Sequence, residues 1–168
     1  KVRPQNIALE DTRQVSATGS QPIRTRCVRL EIVEAKNLRD ADGFGSGKSD
    51  PYVNVFVGQR KDPVFTTEVK KNTLNPLWNA EHVLELKYGE DEIKFSLWDQ
   101  DTGMMDSQDD CLGTASLLMS QLADDSVDLW LDLKPDKKRK QAKGQLHVQV
   151  TRGSTGLGST PLPQPVSP

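Results

Sequence analysis

Ile93-Lys94-Phe95-Ser96-Leu97-Trp98-Asp99-Gln100-Asp101-Thr102-Gly103-Met104-Met105-Asp106-Ser107-Gln108-Asp109-Asp110-Cys111-Leu112-Gly113 is the stretch whose reading decides the fold. Its first part places Ile93, Phe95 and Leu97 two residues apart, the period of a half-buried strand. A second run, Leu112 to Leu117, also reads as a strand. Between them, Asp99, Asp101, Asp106, Asp109 and Asp110 crowd one loop. Two carboxylates about 4 Å apart repel by roughly 4 kcal/mol at an effective dielectric near 20, so a fold that gathers several of them favours a cation there. A hard divalent ion such as calcium suits the donors, because it takes about 6 to 8 oxygens in a tolerant geometry. The plainer alternative is a solvated loop whose carboxylates splay apart, and the rest of the chain has to decide between them.

The same two-residue rhythm recurs through Val28-Leu30-Ile32, Val53-Val55-Val57, Val64 to Val69, Leu129-Leu131-Leu133 and Leu146-Val148-Val150, with a weaker strand over Ala80 to Leu86. Turn residues separate nearly all of them, including Gly58, Asn75-Pro76, Gly89, Gly103, Pro135 and Gly144. Helical spacing is confined to a short stretch over Leu117 to Leu122. Eight short strands so punctuated predict an all-β protein, an eight-stranded antiparallel β-sandwich. Residues 1–26 are read as an N-terminal tail or linker, 27–152 as the folded domain, and 153–168, rich in Gly, Ser, Thr and Pro, as a disordered tail that cannot bury enough apolar surface to fold.

At 168 residues, with 35% hydrophobic and 27% charged content, the chain has enough apolar sequence for one core. Its net charge of -2 argues against a nucleic-acid partner, and no apolar run approaches the roughly 18 residues of a membrane span. Any membrane contact is therefore expected to be peripheral. Cys27 and Cys111 are too few for a disulfide framework and read as reduced thiols of a cytoplasmic protein. The opening on Lys1 rather than Met is expected of a segment of something larger.

Consecutive antiparallel strands reverse direction, so alternate connections emerge at the same end. Residues 36 to 50, 71 to 79, 99 to 110 and 134 to 143 share one end on this rule. Asp40, Asp42 and Asp50 on the first of these thereby meet the aspartates of the third, a convergence that favours the metal site over a merely solvated patch. The fourth of them carries Lys134, Lys137, Lys138, Arg139, Lys140 and Lys143. Such a run also resembles a nuclear-localisation or nucleic-acid patch, but beside an ion site it suits anionic lipid, which attracts each basic residue by about 1 kcal/mol. Phe44, Met104 and Met105 form apolar tips on the same loops. They either dip into a bilayer interface or pack one loop on another.

These residues resemble the C2 domain, a calcium- and phospholipid-binding β-sandwich. The motifs that carry the resemblance are Glu34-Ala35-Lys36-Asn37-Leu38, Lys48-Ser49-Asp50-Pro51-Tyr52-Val53, Asn72-Thr73-Leu74-Asn75-Pro76-Leu77-Trp78-Asn79, Trp98-Asp99-Gln100-Asp101 and Asp109-Asp110-Cys111-Leu112-Gly113. The resemblance implies two or three calcium ions held by Asp42, Asp50, Asp99, Asp101 and Asp110, with lipid headgroups completing the coordination. The last strand follows directly on Leu129 to Leu133, and residues 1–26 offer no additional strand. The order therefore looks like the permuted, type II form, in the manner of extended synaptotagmins, Munc13 proteins and multiple-C2-and-transmembrane proteins.

Two loops depart from the family pattern. The first is about two residues longer than usual, so Asp40 competes with Asp42; the third is about three longer, so Asp106 or Asp109 competes with Asp110. On the concave face, Asn54, Phe56, Thr66 and Glu68 stand where many relatives place phosphoinositide-binding lysines, which predicts preference for phosphatidylserine-type surfaces over phosphatidylinositol bisphosphate. Lys70 and Lys71 look shifted from those positions. His82 reads as a packed or edge histidine, and with only His147 for company it makes a zinc site improbable.

An enzyme would need a nucleophile or base converging on the aspartates from inside a pocket, and none is visible. An EF-hand fails because Met104 stands where the loop needs glycine and the flanks are strands. The second reading kept open is a calcium-independent C2 module that binds a protein partner.

Overall fold

The computed structural model describes residues 25–41, 48–101, 108–122, 125–137 and 141–153. Among them lie eight strands: β1 (Arg26–Lys36), β2 (Pro51–Val57), β3 (Phe65–Thr66), β4 (Leu77–Leu86), β5 (Glu92–Asp99), β6 (Asp110–Leu118), β7 (Ser126–Asp132) and β8 (Gln145–Arg152). They form two four-stranded sheets of order β4-β1-β8-β7 and β3-β2-β5-β6, and every pairing is antiparallel. The last strand lies between β1 and β7, as the permuted order requires.

Alternation along each strand sorts side chains between core and solvent. Val28, Leu30 and Ile32 of β1, Val53, Val55 and Val57 of β2, Ile93, Phe95 and Leu97 of β5, and Leu146, Val148 and Val150 of β8 form the buried centre. On β5 the alternation does not stop at Leu97. The next core-facing residue is Asp99, 1% exposed, so an apolar stripe ends in a carboxylate.

Three elements differ from the sequence expectation. The strand expected over Val64 to Val69 pairs regularly only at Phe65–Thr66, because the Thr67 hydroxyl accepts the Val53 N–H (2.9 Å) in place of a ladder carbonyl. The chain nonetheless follows β2, with Thr67 N donating to Val53 O and Lys70 N to Pro51 O, both at 3.0 Å. The helical spacing near Leu117 to Leu122 resolves into the end of β6 and one 3-10 turn, Met119–Gln121, whose Met119 and Ser120 N–H groups donate to Asp91. Finally, β7 stops at Asp132; Leu133 stays buried and its N–H donates to Gly144 O (3.1 Å).

The expected tails fall on residues outside those described, apart from Thr25, Arg26, which is already the first residue of β1, and Gly153. Among the described residues no helix is long and apolar enough to cross a membrane.

Candidate functional site

The connections that follow β1, β3, β5 and β7 meet at one end, as strand alternation predicts. The segment Asn72 to Asn79 is the fastener. Asn72 in its first turn and Asn79 near the start of β4 are at positive φ (54° and 47°), a conformation asparagine tolerates better than most residues. Leu74 O accepts from Leu38 N and Pro76 O from Ala35 N (both 3.0 Å), and Thr73 N donates to Ser49 O (2.9 Å). Trp78 Nε1 donates to Glu68 O (3.0 Å). The connection after β3 is thereby laced to the one after β1 through backbone groups.

The connection after β1 is laced to the one after β5 through Asp50. Its N–H donates to Asp99 Oδ1 (2.6 Å), and its carbonyl accepts from Gln100 N (3.1 Å). Arg39 Nη2 adds a bond to Cys111 O (3.3 Å), and the buried Ser49 hydroxyl bridges Ala41 N and Arg39 O. Cross-strand pairing sets Asp99 opposite both Pro51 and Asp110. A bulge makes the second pairing: Leu97 faces Gly113 while Trp98 faces Cys111, so Leu112 is the extra residue and Asp110 is brought level with Asp99.

Each described carboxylate has its own surroundings. Asp99 Oδ2 is buried without a hydrogen-bond partner. Asp50 Oδ1 accepts from Asn72 N (2.6 Å), and Asp50 Oδ2 lies 3.0 Å from the Lys71 ammonium, which also reaches Gln100 Oε1 at 3.0 Å. Asp109 is spent on holding the loop: Oδ2 accepts from Tyr52 OH (2.6 Å) and Oδ1 from Asp101 N (3.2 Å). Burial first, and then the Asp109 hydrogen bond and charge, push the Tyr52 hydroxyl well above its usual pKa and keep it a donor. Asp101 and Asp110 are half-buried at the two ends of the loop, and Asp40 is exposed. Burial likewise pushes the Cys111 thiol up, which fits an inert reduced cysteine rather than a metal ligand.

Asp42 and Asp106 lie outside the described residues, as do Phe44, Met104, Met105, Lys138, Arg139 and Lys140. Lys137 is exposed, with its N–H on Asp136 Oδ1 (2.6 Å). The base of its loop is fixed by paired bonds between Thr114 and Lys134 (2.9 and 2.8 Å) and by Gly144, packed against the Lys36 and Asn37 carbonyls. Among the described residues, no three Asp, Glu, His or Cys side chains are gathered in a geometry that could hold a metal. His82 stacks on Phe65 and His147 on Trp130, ring centroids 4.6 Å apart in each pair.

The donor set nonetheless fits a hard cation. A buried carboxylate oxygen lacks a partner, a second carboxylate beside it draws in an ammonium, and all the donors are oxygens. Sequence reasoning gave no site role to Lys71, Asn72 or Tyr52. Strand alternation already put the turn holding Lys71 at the acidic end, and Tyr52 follows Asp50-Pro51 directly, but neither signal names the partner.

A sandwich of this strand order, with aspartates of two loops brought to one end, defines a loop-based binding module. The chain belongs to the C2 domain family: the family model for the C2 domain matches residues 26–133, more than half of the chain. The final strand β8 lies beyond that range and completes the sheet between β1 and β7. Among proteins similar in sequence are tricalbin-3 of Saccharomyces cerevisiae, 28% identical over 93% of this chain and 11% of its own length, and extended synaptotagmin-2-A of Xenopus laevis, 31% identical over 77% of this chain and 14% of its own. The chain thus spans a small part of these relatives. Among solved structures, the calcium-bound tandem C2 domains of extended synaptotagmin 2 superpose with a TM-score of 0.63 at 27% identity, covering 77% of this chain and 46% of that one. Human GIVD cytosolic phospholipase A2, at 20% identity and a TM-score of 0.62 over 77% of this chain and 17% of that one, shares the fold.

Proposed function

We propose that this domain binds anionic phospholipid membranes in a calcium-dependent way and brings a larger parent protein to the cytoplasmic face of a membrane. The observation that carries the proposal is Asp99 Oδ2, buried and unpartnered beside the Asp50 backbone and opposite Asp110. The assigned ligands are Asp50 and Asp42 from the connection after β1 and Asp99, Asp101 and Asp110 from the one after β5. Asp109, the alternative to Asp110, is assigned to bracing the loop, because it ties Tyr52 of β2 to the Asp101 backbone. Calcium, two or three ions in this reading, would supply positive charge that cancels carboxylate repulsion and leaves coordination positions for lipid phosphate and carboxylate oxygens.

The chain's own residues do the rest. The Asn72–Asn79 segment and the Asp50 bonds hold the walls in register, so binding changes charge far more than shape. Lys137, Lys138, Arg139 and Lys140 add attraction to anionic lipid at about 1 kcal/mol each, screened by salt. Phe44, Met104 and Met105 are assigned to the interface. Phosphatidylserine-type surfaces are preferred over phosphatidylinositol bisphosphate: Asn54 accepts from Thr66 (2.7 Å) on the concave sheet, and Lys70 there is paired with Glu68. The working unit in this reading is 27–152, flanked by linker sequence, and it carries out no catalysis of its own.

The test is sedimentation with phosphatidylserine liposomes in calcium or in chelator. The parent is compared with D99N/D101N and with a variant neutralised at residues 137 to 140. Calcium-dependent binding that the aspartate pair abolishes, and that the basic variant weakens together with its salt sensitivity, is the expected outcome. Binding indifferent to calcium and to both aspartates points instead to the calcium-independent, protein-binding reading. Equal or stronger calcium-independent binding to phosphoinositide liposomes overturns the lipid preference.

A further inference from the structure

Lys71 joins two different connections at the loop end through one ammonium. It lies 3.0 Å from Asp50 Oδ2 on the connection after β1 and 3.0 Å from Gln100 Oε1 on the one after β5. The neighbouring Lys70 is directed elsewhere, onto Glu68. Asn72 N holds the other Asp50 oxygen, so the Asp50 carboxylate is gripped from both sides by consecutive residues of one turn. The grip is uneven. Asn72 binds through rigid backbone, whereas Lys71 binds at the end of a flexible four-carbon stem that is 58% exposed, against 22% for Asp50. Such a side chain can let go without disturbing the fold.

We propose that Lys71 is a tethered counter-ion with a second role as a lipid-phosphate ligand. With no divalent ion present, its ammonium neutralises the Asp50 wall and links it to Gln100. When Asp50 is taken up in ion coordination, Lys71 swings to the rim and presents its charge to the phosphate of an anionic lipid. Ion binding in solution is therefore opposed by Lys71, and membrane binding of the loaded domain is assisted by it. The inference rests on the calcium reading above and assigns it a coupling residue.

The full chain carrying Lys71→Met is compared with the parent and with Lys71→Arg. In calcium titration calorimetry without lipid, K71M is expected to bind the ion about three- to fivefold more tightly, the worth of an exposed ion pair. On phosphatidylserine vesicles at saturating calcium, the same variant is expected to bind about fivefold more weakly, the worth of one basic residue near an anionic surface. K71R, which keeps the charge, is expected to stay near the parent in both assays. An unchanged or weaker calcium affinity in K71M, with the parent binding normally, overturns the role of Lys71 and leaves the calcium reading standing. A parent that takes up no calcium sinks that reading and the inference with it.

Discussion

The Asp50 N–H donates to Asp99 Oδ1 at 2.6 Å, so the two acidic connections are joined by a direct hydrogen bond. Asp99 is 1% exposed and its second oxygen has no partner, which makes it a buried charge held only in part. Replacing it with asparagine keeps an oxygen for Asp50 N and removes the charge. Asp99→Asn is therefore expected to raise stability in chelator by about 1 kcal/mol, since a buried charge with one unpartnered oxygen is removed. The proposed calcium site also predicts that added calcium stabilises the parent and that the variant loses this effect. Urea unfolding in chelator and in calcium reads both effects, and a variant less stable than the parent in chelator contradicts the first.

Tyr52 and Asp109 are 57 residues apart in sequence, and their 2.6 Å hydrogen bond closes the long acidic loop onto β2. Tyr52→Phe removes the donor and leaves one Asp109 oxygen without it, at an expected cost of about 1 to 2 kcal/mol because the acceptor is charged and half-buried. The expected functional effect is a few-fold loss of calcium affinity with the number of ions unchanged, since Tyr52 positions the loop and holds no ion. Denaturant unfolding and calorimetry together check this. A change in stoichiometry would make Tyr52 more than a brace.

Much of this was legible in the sequence. The period-two pattern of Val28-Leu30-Ile32 and Ile93-Phe95-Leu97 named strands and core faces, because alternation follows from backbone geometry alone. Strand alternation also brought the right connections to one end. Thr67 was not legible as a strand breaker, since its hydroxyl replaces a ladder carbonyl only once Val53 is beside it. The role of Lys71 was beyond reach for a similar reason: its two partners lie 21 and 29 residues away, and which oxygen a flexible ammonium meets depends on how three turns pack. The crowding of aspartates in one loop was plain in the sequence, but the Tyr52 bond to Asp109 has no local signature.

Gly144 joins the basic loop to β8 at φ 103°, a region that favours glycine. A Cβ there would meet the backbone carbonyls of Lys36 and Asn37, which have little freedom to yield where β1 gives way to the connection after it. Gly144→Ala is expected to destabilise the domain by more than about 1 kcal/mol through strained backbone and displaced carbonyls. The basic loop would move with it, so the salt dependence of liposome binding is expected to change while calcium affinity in solution holds. A fully stable Gly144→Ala protein would mean that the turn relaxes freely.

At the opposite end of the sandwich, Arg60 grips Glu90 through two bonds, Nε to Oε1 (2.8 Å) and Nη2 to Oε2 (2.6 Å), and Lys87 N adds a third (2.8 Å). The Arg60 hydrogen bond is the main reason that the Glu90 carboxyl titrates below its usual value of 4.5. Asp91 is held below its usual 3.8 chiefly by hydrogen bonding from Ser120, with Arg26 contributing. A carboxyl whose folded-state pKa is depressed contributes stability that is fully present above its unfolded value and is lost as pH falls through the folded one. Glu90→Gln is therefore expected to be less stable than the parent at pH 7, with the difference shrinking as pH drops below about 4.5. Calcium binding at pH 7 is expected to be unaffected, because these residues sit between β2 and β5 at the end remote from Asp50 and Asp99. Thermal melts of the two proteins from pH 3 to 7 test the sign, and a gap that widens toward acid would refute it.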